Sequence, residues 1–242
     1  MRSYRVYVPS ELSLGNVVDL DERSSHHLAR VLRVRPGDAV TLFNGDGTNY
    51  TGEVAAVTKS QVSVTIHRAE AANSESPLRT HLALAVSKGD RFDWAIKKAT
   101  ELGVTTIIPI LSQLIDVRLS SERWQKKREH WQHIVISACE QSGRAVVPEV
   151  CAPQVLSRWV LEADADYKCV LHPGVGSQAL PDRATSAALL IGPEGGFTDD
   201  EVGLARDAGF RGLELGPRIL RTETAPIVAL TVLGSQWGDI NA

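Results

Sequence analysis

The segment LLIGPEGGFTDDEV, residues 189–202, determines how the second half of this 242-residue chain is expected to fold. Its apolar start is typical of a buried strand, and Gly192 opens a glycine-rich turn that also contains Glu194. Thr198, followed three residues later by Glu201, has the spacing of a capping box, which predicts that a helix begins there. The segment therefore predicts a strand, a tight turn and a helix in succession.

The turn has two interpretations. Ligands in α/β sheets bind at the carboxyl ends of the strands, which favours a binding loop. Glycines with positive φ also build tight turns that have only a structural role. The turn lacks the lysine of a GxxxxGK[ST] phosphate-binding loop, and the chain contains no GxGxxG dinucleotide motif.

A second segment, LELGPRILRTETAPIVAL at residues 213–230, repeats this arrangement. It predicts a strand at 212–216, a turn, and a helix from about Pro226 with Thr222 or Thr224 as its cap. Two successive loops that contain glycine favour one pocket lined largely by backbone groups. No acidic cluster for Mg²⁺ is evident in the sequence, which disfavours a nucleoside triphosphate as the ligand.

Three charged residues, Arg218, Arg221 and Glu223, lie between the predicted strand and helix. They belong either to a solvated loop with an internal ion pair or to the wall of a pocket. The apolar pair Ile219 and Leu220 between the arginines favours the pocket wall.

The rest of the chain predicts two kinds of structure. Residues 1 to about 70 have short β-branched runs divided by turn signals, which favour a small β-barrel. A helix-like segment at 24–34, with Ser24 or Ser25 as N-cap, interrupts these runs, and a polar linker follows at 70–77. From residue 78 onward strands alternate with helices, which predicts a parallel sheet covered on both faces. The strands are predicted at 5–8, 39–44, 50–57, 61–69, 81–87, 104–112, 167–173 and 187–193, and a long helix at about 121–142.

Composition narrows the class of protein. The hydrophobic fraction of 43% and the charged fraction of 23% are typical of a globular protein. No apolar run approaches the roughly 20 residues that span a bilayer, and the N-terminus lacks the apolar region of a signal peptide. Three cysteines without CxxC spacing favour free thiols in the cytoplasm and argue against a disulfide framework or a metal site. A net charge of −3 excludes a protein that coats nucleic acid non-specifically.

The two C-terminal segments strongly resemble the RsmE family of ribosomal RNA methyltransferases, within the SPOUT (trefoil-knotted) superfamily. The resemblance extends to KGDRFDWAIKKATELGV (88–104), ACEQSGRAVVPEV (138–150) and SHHLARVLRVRPGDAVTLFNGDG (25–47). It therefore covers nearly the whole chain, in the order that the family has.

The resemblance implies a specific architecture and reaction. The expected fold has two domains. Residues 1–72 form an N-terminal PUA-like β-barrel that binds RNA, and residues 73–242 form a C-terminal SPOUT-type knotted α/β methyltransferase domain. The family acts as a homodimer and uses S-adenosylmethionine to methylate N3 of the uridine at position 1498 in 16S ribosomal RNA of the small subunit. Neither a metal ion nor a membrane is implied.

The resemblance also assigns roles to residues. Three loops, at 171–173, 191–196 and 215–220, are expected to hold the cofactor, and Arg221 is expected to stabilise the uracil anion, because uracil N3 carries a proton that must leave. Glu194 and Glu223 are expected either to accept that proton or, more in keeping with the ordinary pKa of a carboxylate, to hold Arg221. The expected cofactor contacts are Leu171, His172, Ile191, Gly192, Gly195, Leu215, Gly216, Ile219 and Leu220. The expected RNA contacts are Arg5, His27, Arg30, Arg33, Lys88, Arg91 and Arg144, each of which could instead be an ordinary solvated charge.

Two alternatives stay open at the level of sequence. The same fold could act on transfer RNA or 23S RNA, on a ribose or on another base. A non-catalytic RNA-binding or assembly factor could have kept the fold, although the intact glycine turn and Arg221 argue against it.

Overall fold

The chain forms two compact units in a computed structural model that describes residues 4–115, 117, 119–172, 175–176 and 178–241. The N-terminal unit consists of Met1–Glu75 together with Cys139–Val147. The second unit consists of Ser76–Ala138 and Pro148–Ala242. The first unit thus includes a segment from the middle of the chain that the sequence pattern did not indicate. The predicted domain boundary between residues 72 and 73 stays a prediction.

The N-terminal unit is a five-stranded sheet, within the described residues, around one apolar core. Its strands are β1 Tyr4–Tyr7, β2 Val17–Asp19, β3 Ala39–Phe43, β4 Thr48–Val57 and β5 Val62–Ala71, in the order β1-β3-β4-β5-β2. Only β1 and β3 pair in parallel; the other neighbours are antiparallel. Alternate residues of β5, namely Val62, Val64 and Ile66, are fully buried, as expected for a strand with one face on a core. Because β5 continues to Ala71, the start of the predicted linker at 70–77 is part of a strand.

The helical segment of this unit starts earlier than predicted. Helix α1, Glu22–His26, has Asp21 as its N-cap, whose carboxylate accepts a hydrogen bond from the backbone N–H of Ser24 at 2.7 Å. The prediction of Ser24 or Ser25 as N-cap is therefore wrong. Ser25 is buried instead, where its hydroxyl donates to the carbonyl of Leu20 and accepts from Val62 N–H. The segment continues as a π-helical turn over His27–Leu32.

The second unit contains the predicted parallel sheet. Its strands are β6 Arg79–Ala85, β7 Thr106–Leu111, β8 Glu149–Val150, β9 Gln154–Val155, β10 Tyr167–Leu171, β11 Ser186–Ile191 and β12 Arg211–Gly212. Their order is β12-β10-β11-β6-β7-β8, with β9 also paired to β7, and each pairing among the described residues is parallel. All six residues of β11 are buried, as expected for a strand covered on both faces. The helices are α2 Arg91–Glu101, α3 Ser121–Ser142, α4 Leu156–Glu162, α5 Asp199–Asp207 and α6 Thr224–Trp237.

Most predicted elements are confirmed, but the last strand and helix are corrected. The predicted strand at 212–216 is reduced to Arg211–Gly212, and the following residues form an irregular loop. Helix α6 begins at Thr224 with Glu223 as its N-cap residue, and no side chain caps it, so neither Thr222 nor Thr224 has the predicted capping role. The short elements β2, β8, β9 and α4 were not predicted, because segments of two to seven residues have too little periodicity to be detected.

Candidate functional site: three loops at one edge of the parallel sheet

Three loops follow three adjacent strands, and they leave the sheet at the same edge. Strand β10 lies between β11 and β12, with Leu171 opposite Ile191 and Val170 opposite Gly212. Leu213 N–H continues the pairing by donating to the Val170 carbonyl at 3.1 Å. Since parallel strands end at a common edge, the loops that begin at 171, 192 and 213 start side by side.

The glycine turn after β11 is closely packed on one side. Gly196 has φ +72°, a conformation that a side chain disfavours, and its N–H donates to the Pro193 carbonyl at 2.9 Å. A Cβ at Gly196 would lie 3.5 Å from the ring of His172, and that ring stacks on Phe197 with 6.4 Å between centroids. His172 therefore packs the first loop against the second, and its predicted contact with the cofactor stays a prediction.

Glu201 secures the end of the turn. The predicted capping box is confirmed: the Glu201 carboxylate accepts from Thr198 N–H at 3.0 Å, and the Thr198 hydroxyl accepts from Glu201 N–H at 3.3 Å. The other carboxylate oxygen of this buried residue accepts from Gln113 N–H at 2.8 Å, just beyond the end of β7. The next residue, Leu114, is 46% exposed and would lie 3.5 Å from a Cβ at Gly195. Leu114 was missed by the sequence reasoning, although its position after a parallel strand was a usable signal.

The third loop, residues 215–220, has unused backbone donors. Within the described part of the chain, no acceptor takes a hydrogen bond from the N–H groups of Leu215, Gly216, Ile219 or Leu220. The Ile219 side chain is 86% exposed, a high value for an apolar residue in an ordered loop. The loop thus presents backbone donors and an apolar side chain, which are the groups that an uncharged heterocycle requires.

Arg221 and Glu223 form a loose pair where this loop enters α6. Arg221 Nη1 lies 4.0 Å from Glu223 Oε1, and the Arg221 side chain is 80% exposed whereas that of Glu223 is 18% exposed. Glu223 Oε2 is buried and has no hydrogen-bond partner among the described residues. The Arg221 carbonyl accepts from the N–H groups of Thr224 and Ala225, both at 2.9 Å, so the backbone of Arg221 is fixed while its guanidinium extends outward.

Glu194 has a different partner from the one that was expected. Its Oε1 accepts a hydrogen bond from Nη1 of Arg91, the first residue of α2, and not from Arg221. Strand β6, which leads to α2, pairs with β11, so the two residues come from neighbouring strand ends. The predicted RNA contact Arg91 and the predicted catalytic residue Glu194 are thus joined. Lys88 lies in the same connection and is exposed.

The predicted RNA contacts of the N-terminal unit fall into two groups. His27 and Arg30 lie in the π-helical turn and are exposed, and so is Arg33, which follows in a left-handed conformation with φ 57°. Arg5 and Arg144 instead form hydrogen bonds within the unit. Arg5 donates to Asn49 Oδ1 and to the Arg144 carbonyl, both at 3.1 Å, and burial lowers the pKa of its guanidinium.

Arg144 is 3% exposed and bonds both carboxylate oxygens of Glu75, at 3.1 and 2.5 Å. A guanidinium buried against a carboxylate already has its charge compensated. This geometry supports a role for Arg144 and Arg5 in stabilising the N-terminal unit, whereas their predicted contacts with RNA stay predictions.

The remaining observations concern the cysteines, candidate membrane spans and metal-ligating groups. The three cysteines are free, and burial raises the pKa of Cys139 and of Cys169 to about 12. Among the described residues, no helix combines the length and apolar character that crossing a membrane requires, and no group of three metal-ligating side chains is found. Pro173, in the first predicted cofactor loop, lies outside the described residues. The cytoplasmic location stays a prediction.

Comparison with known proteins identifies both parts of the chain. Residues 74–234 match the RNA methyltransferase domain family, and residues 20–66 match the RNA methyltransferase PUA domain family. A relative from Buchnera aphidicola subsp. Schizaphis graminum, named ribosomal RNA small subunit methyltransferase E, is 34% identical over 98% of both chains. The Bacillus subtilis relative of the same name is 34% identical over 87% of both chains.

Solved structures agree with these matches. A ribosomal RNA small subunit methyltransferase E from Neisseria gonorrhoeae, bound to S-adenosyl methionine, is 37% identical with a TM-score of 0.92, over 99% of this chain and 100% of that one. A Legionella pneumophila protein in complex with the cofactor SAM is 42% identical with a TM-score of 0.95, over 99% and 100% of the two chains. The predicted fold class is confirmed: a SPOUT-type α/β methyltransferase domain that follows a PUA-like domain along the chain. The chain therefore belongs to the RsmE family of RNA methyltransferases, the ribosomal RNA small subunit methyltransferases E.

Proposed function

We propose that this chain transfers a methyl group from S-adenosylmethionine to N3 of a uridine, the one at position 1498, in 16S ribosomal RNA of the small subunit. The observation that carries the proposal is the placement of two glycine-bearing loops, at 192–196 and 215–220, beyond β11 and β12, the two parallel strands on either side of β10. Membership of a family whose solved relatives hold this cofactor supports the assignment of that edge to the cofactor.

The residues of the three loops fit S-adenosylmethionine. The N–H groups of Leu215 and Gly216, which have no acceptor among the described residues, suit the acceptors of an adenine ring, and exposed Leu114 and Ile219 suit its faces. The glycine turn contains no cationic side chain, which agrees with a ligand that carries a positive sulfonium and no phosphate. The buried, unpartnered Oε2 of Glu223 requires a donor, since a buried acceptor without one is destabilising.

The bound cofactor supplies an electrophilic methyl group, and the residues of the chain act on the uracil. N3 must lose its proton to solvent as it forms the bond to the methyl carbon, while the electrons of the carbon–sulfur bond remain on sulfur. Arg221 stabilises the negative charge that develops on the uracil carbonyl oxygens, because its exposed guanidinium carries several donors. Glu223, at 4.0 Å, limits the directions in which that guanidinium points.

Two sets of basic residues are proposed to contact RNA phosphates. In the N-terminal unit these are His27, Arg30 and Arg33, which are exposed and adjacent along the chain. The left-handed backbone at Arg33 supports this assignment, since such conformations in non-glycine residues cluster at functional positions. In the second unit the contacts are Lys88 and Arg91, beside the glycine turn.

A substrate panel tests the proposal. The full chain is incubated with labelled S-adenosylmethionine and, in parallel, with small ribosomal subunits, naked 16S RNA and transfer RNA, and the modified nucleotide is mapped. We expect methyl incorporation at N3 of one uridine in 16S RNA. Incorporation only into transfer RNA would contradict the proposed substrate, and cofactor binding without transfer to any RNA would favour a non-catalytic assembly factor.

We also propose that the chain acts as a homodimer. Trp94 on α2 and Val232 on α6, two helices in contact, are 45% and 37% exposed. Exposed apolar side chains on two helices that pack together are typical of an interaction surface. Sedimentation equilibrium of the full chain is expected to give twice the 26.3 kDa of one chain. A single species of 26.3 kDa at micromolar concentration would contradict the dimer.

A further inference from the structure

The ion pair between Arg91 and Glu194 is the one side-chain hydrogen bond that residues 192–196 make with the rest of the described chain. The turn otherwise has a single backbone hydrogen bond among the described residues, from Gly196 N–H to the Pro193 carbonyl. A turn with three glycines has many accessible conformations, so each attachment restricts it appreciably. Arg91 therefore restrains a loop that lies 103 residues further along the sequence.

The pair has little value for the stability of the fold. Both side chains are about half exposed, at 47% and 43%, and exposed ion pairs contribute little because solvent screens them. Arg91 also lies in the first turn of α2, where the helix dipole disfavours a cation. The main effect of the pair is therefore on the conformation of the turn and not on the stability of the fold.

We propose that Arg91 is a positioning residue for the cofactor: by holding Glu194, it fixes the glycine turn in the conformation that binds S-adenosylmethionine. This inference rests on the proposed function, since it assumes that the turn binds that cofactor. It also makes Glu194 a carboxylate that is engaged with Arg91, and so not the residue that accepts the uracil proton or holds Arg221.

A double-mutant cycle on cofactor affinity tests the inference. Arg91→Ala, Glu194→Ala and the double variant are prepared in the full chain, and their dissociation constants for S-adenosylmethionine are measured by isothermal titration calorimetry without RNA. Each single variant is expected to bind about two- to fivefold more weakly, the range that an exposed ion pair provides. The double variant is expected to match the single variants, because either substitution removes the same contact.

Salt provides a second readout that a general packing defect would not change. At low ionic strength the wild-type chain should bind the cofactor more tightly than the variants, and the difference should narrow as salt screens the pair. The matched control is Arg158→Ala, which removes another exposed ion pair, with Glu162 on α4 at 2.8 Å, and neither residue of this pair belongs to the three loops. This control should bind the cofactor as the wild-type chain does at every salt concentration.

The outcomes separate this inference from the proposed function. If the wild-type chain fails to bind S-adenosylmethionine, the proposed function is wrong. If the wild-type chain binds it and Arg91→Ala binds it equally well, the inference is overturned, and so it is if the two substitutions act independently and their effects multiply in the double variant. A variant Arg91→Ala that keeps the wild-type affinity for the cofactor and loses only affinity for small ribosomal subunits would leave Arg91 as a phosphate contact alone, and would likewise overturn the positioning role.

Discussion

Replacement of Arg221 by alanine is expected to lower kcat for methyl transfer by about 10²- to 10³-fold, the usual effect of removing one donor that stabilises a developing anion. The dissociation constant for S-adenosylmethionine should stay close to the wild-type value, because the guanidinium extends outward and the substitution leaves the hydrogen bonds to the Arg221 carbonyl in place. The side chain is 80% exposed, so the free energy of unfolding should change little. Single-turnover transfer to small ribosomal subunits and calorimetry with the cofactor measure the two effects separately.

Companion variants define the role of Arg221 more closely. Arg221→Lys keeps the charge and should recover part of the rate, while Lys97→Ala, an exposed residue of α2, serves as a surface control. If Glu223 acts by holding Arg221, then adding Glu223→Gln to Arg221→Ala should lower kcat no further. Loss of cofactor binding in Arg221→Ala would instead make Arg221 part of the cofactor pocket.

Replacement of Gly212 by alanine is expected to be the most damaging change to the framework of the site. An added Cβ would lie 1.9 Å from the carbonyl oxygen of Gly176 and 2.8 Å from Cγ1 of Val175, so the backbone beyond β10 or β12 would have to move. We expect the free energy of unfolding to fall by about 2 kcal/mol, as for other overpacked positions. For a chain of this size, the Tm should then fall by roughly 4 to 8 °C. Cofactor affinity should also fall, because the loop that begins at Leu213 would be displaced.

Gly203→Ala is the matched control for Gly212→Ala. Gly203 lies inside α5, and nothing would lie within 4 Å of its added Cβ. Since glycine disfavours a helix by roughly 0.8–1 kcal/mol relative to alanine, this variant should melt higher than the wild-type chain. Thermal denaturation of both variants checks the pair. Equal melting temperatures for Gly212→Ala and the wild-type chain would show that the two backbones do not approach as closely as described.

The parts of the site that depend on local sequence could be predicted. The glycine turn follows a strand and precedes the capping box of Thr198 and Glu201. Each of these features depends on residues that are only a few positions apart in the sequence. The placement of the loops at 192–196 and 215–220 at the same edge of the sheet also followed from the rule that parallel strands end at a common edge.

The parts that depend on strand order could not be predicted from local pattern. Arg91 meets Glu194 because β6 lies next to β11, and no local signal connects residues so far apart in sequence. Basic residues such as Arg144 could equally be surface contacts or buried ion-pair partners, since the sequence does not show which carboxylate is near. The start of α6 was misplaced because two threonines suggested a cap, whereas the chain enters the helix through Glu223.

The discontinuous makeup of the N-terminal unit has a consequence for synthesis of the protein. Its first 75 residues leave the ribosome well before residues 139–147, at a usual rate of about 5–20 residues per second. Until that second segment emerges, Tyr7 N–H lacks its acceptor Glu140, and Glu75 lacks Arg144. The unit that begins the chain therefore completes its folding only after much of the second unit has been made. A fragment that ends at residue 75 should be prone to aggregation when expressed alone, whereas a nascent chain that extends beyond residue 147 contains every segment of the unit.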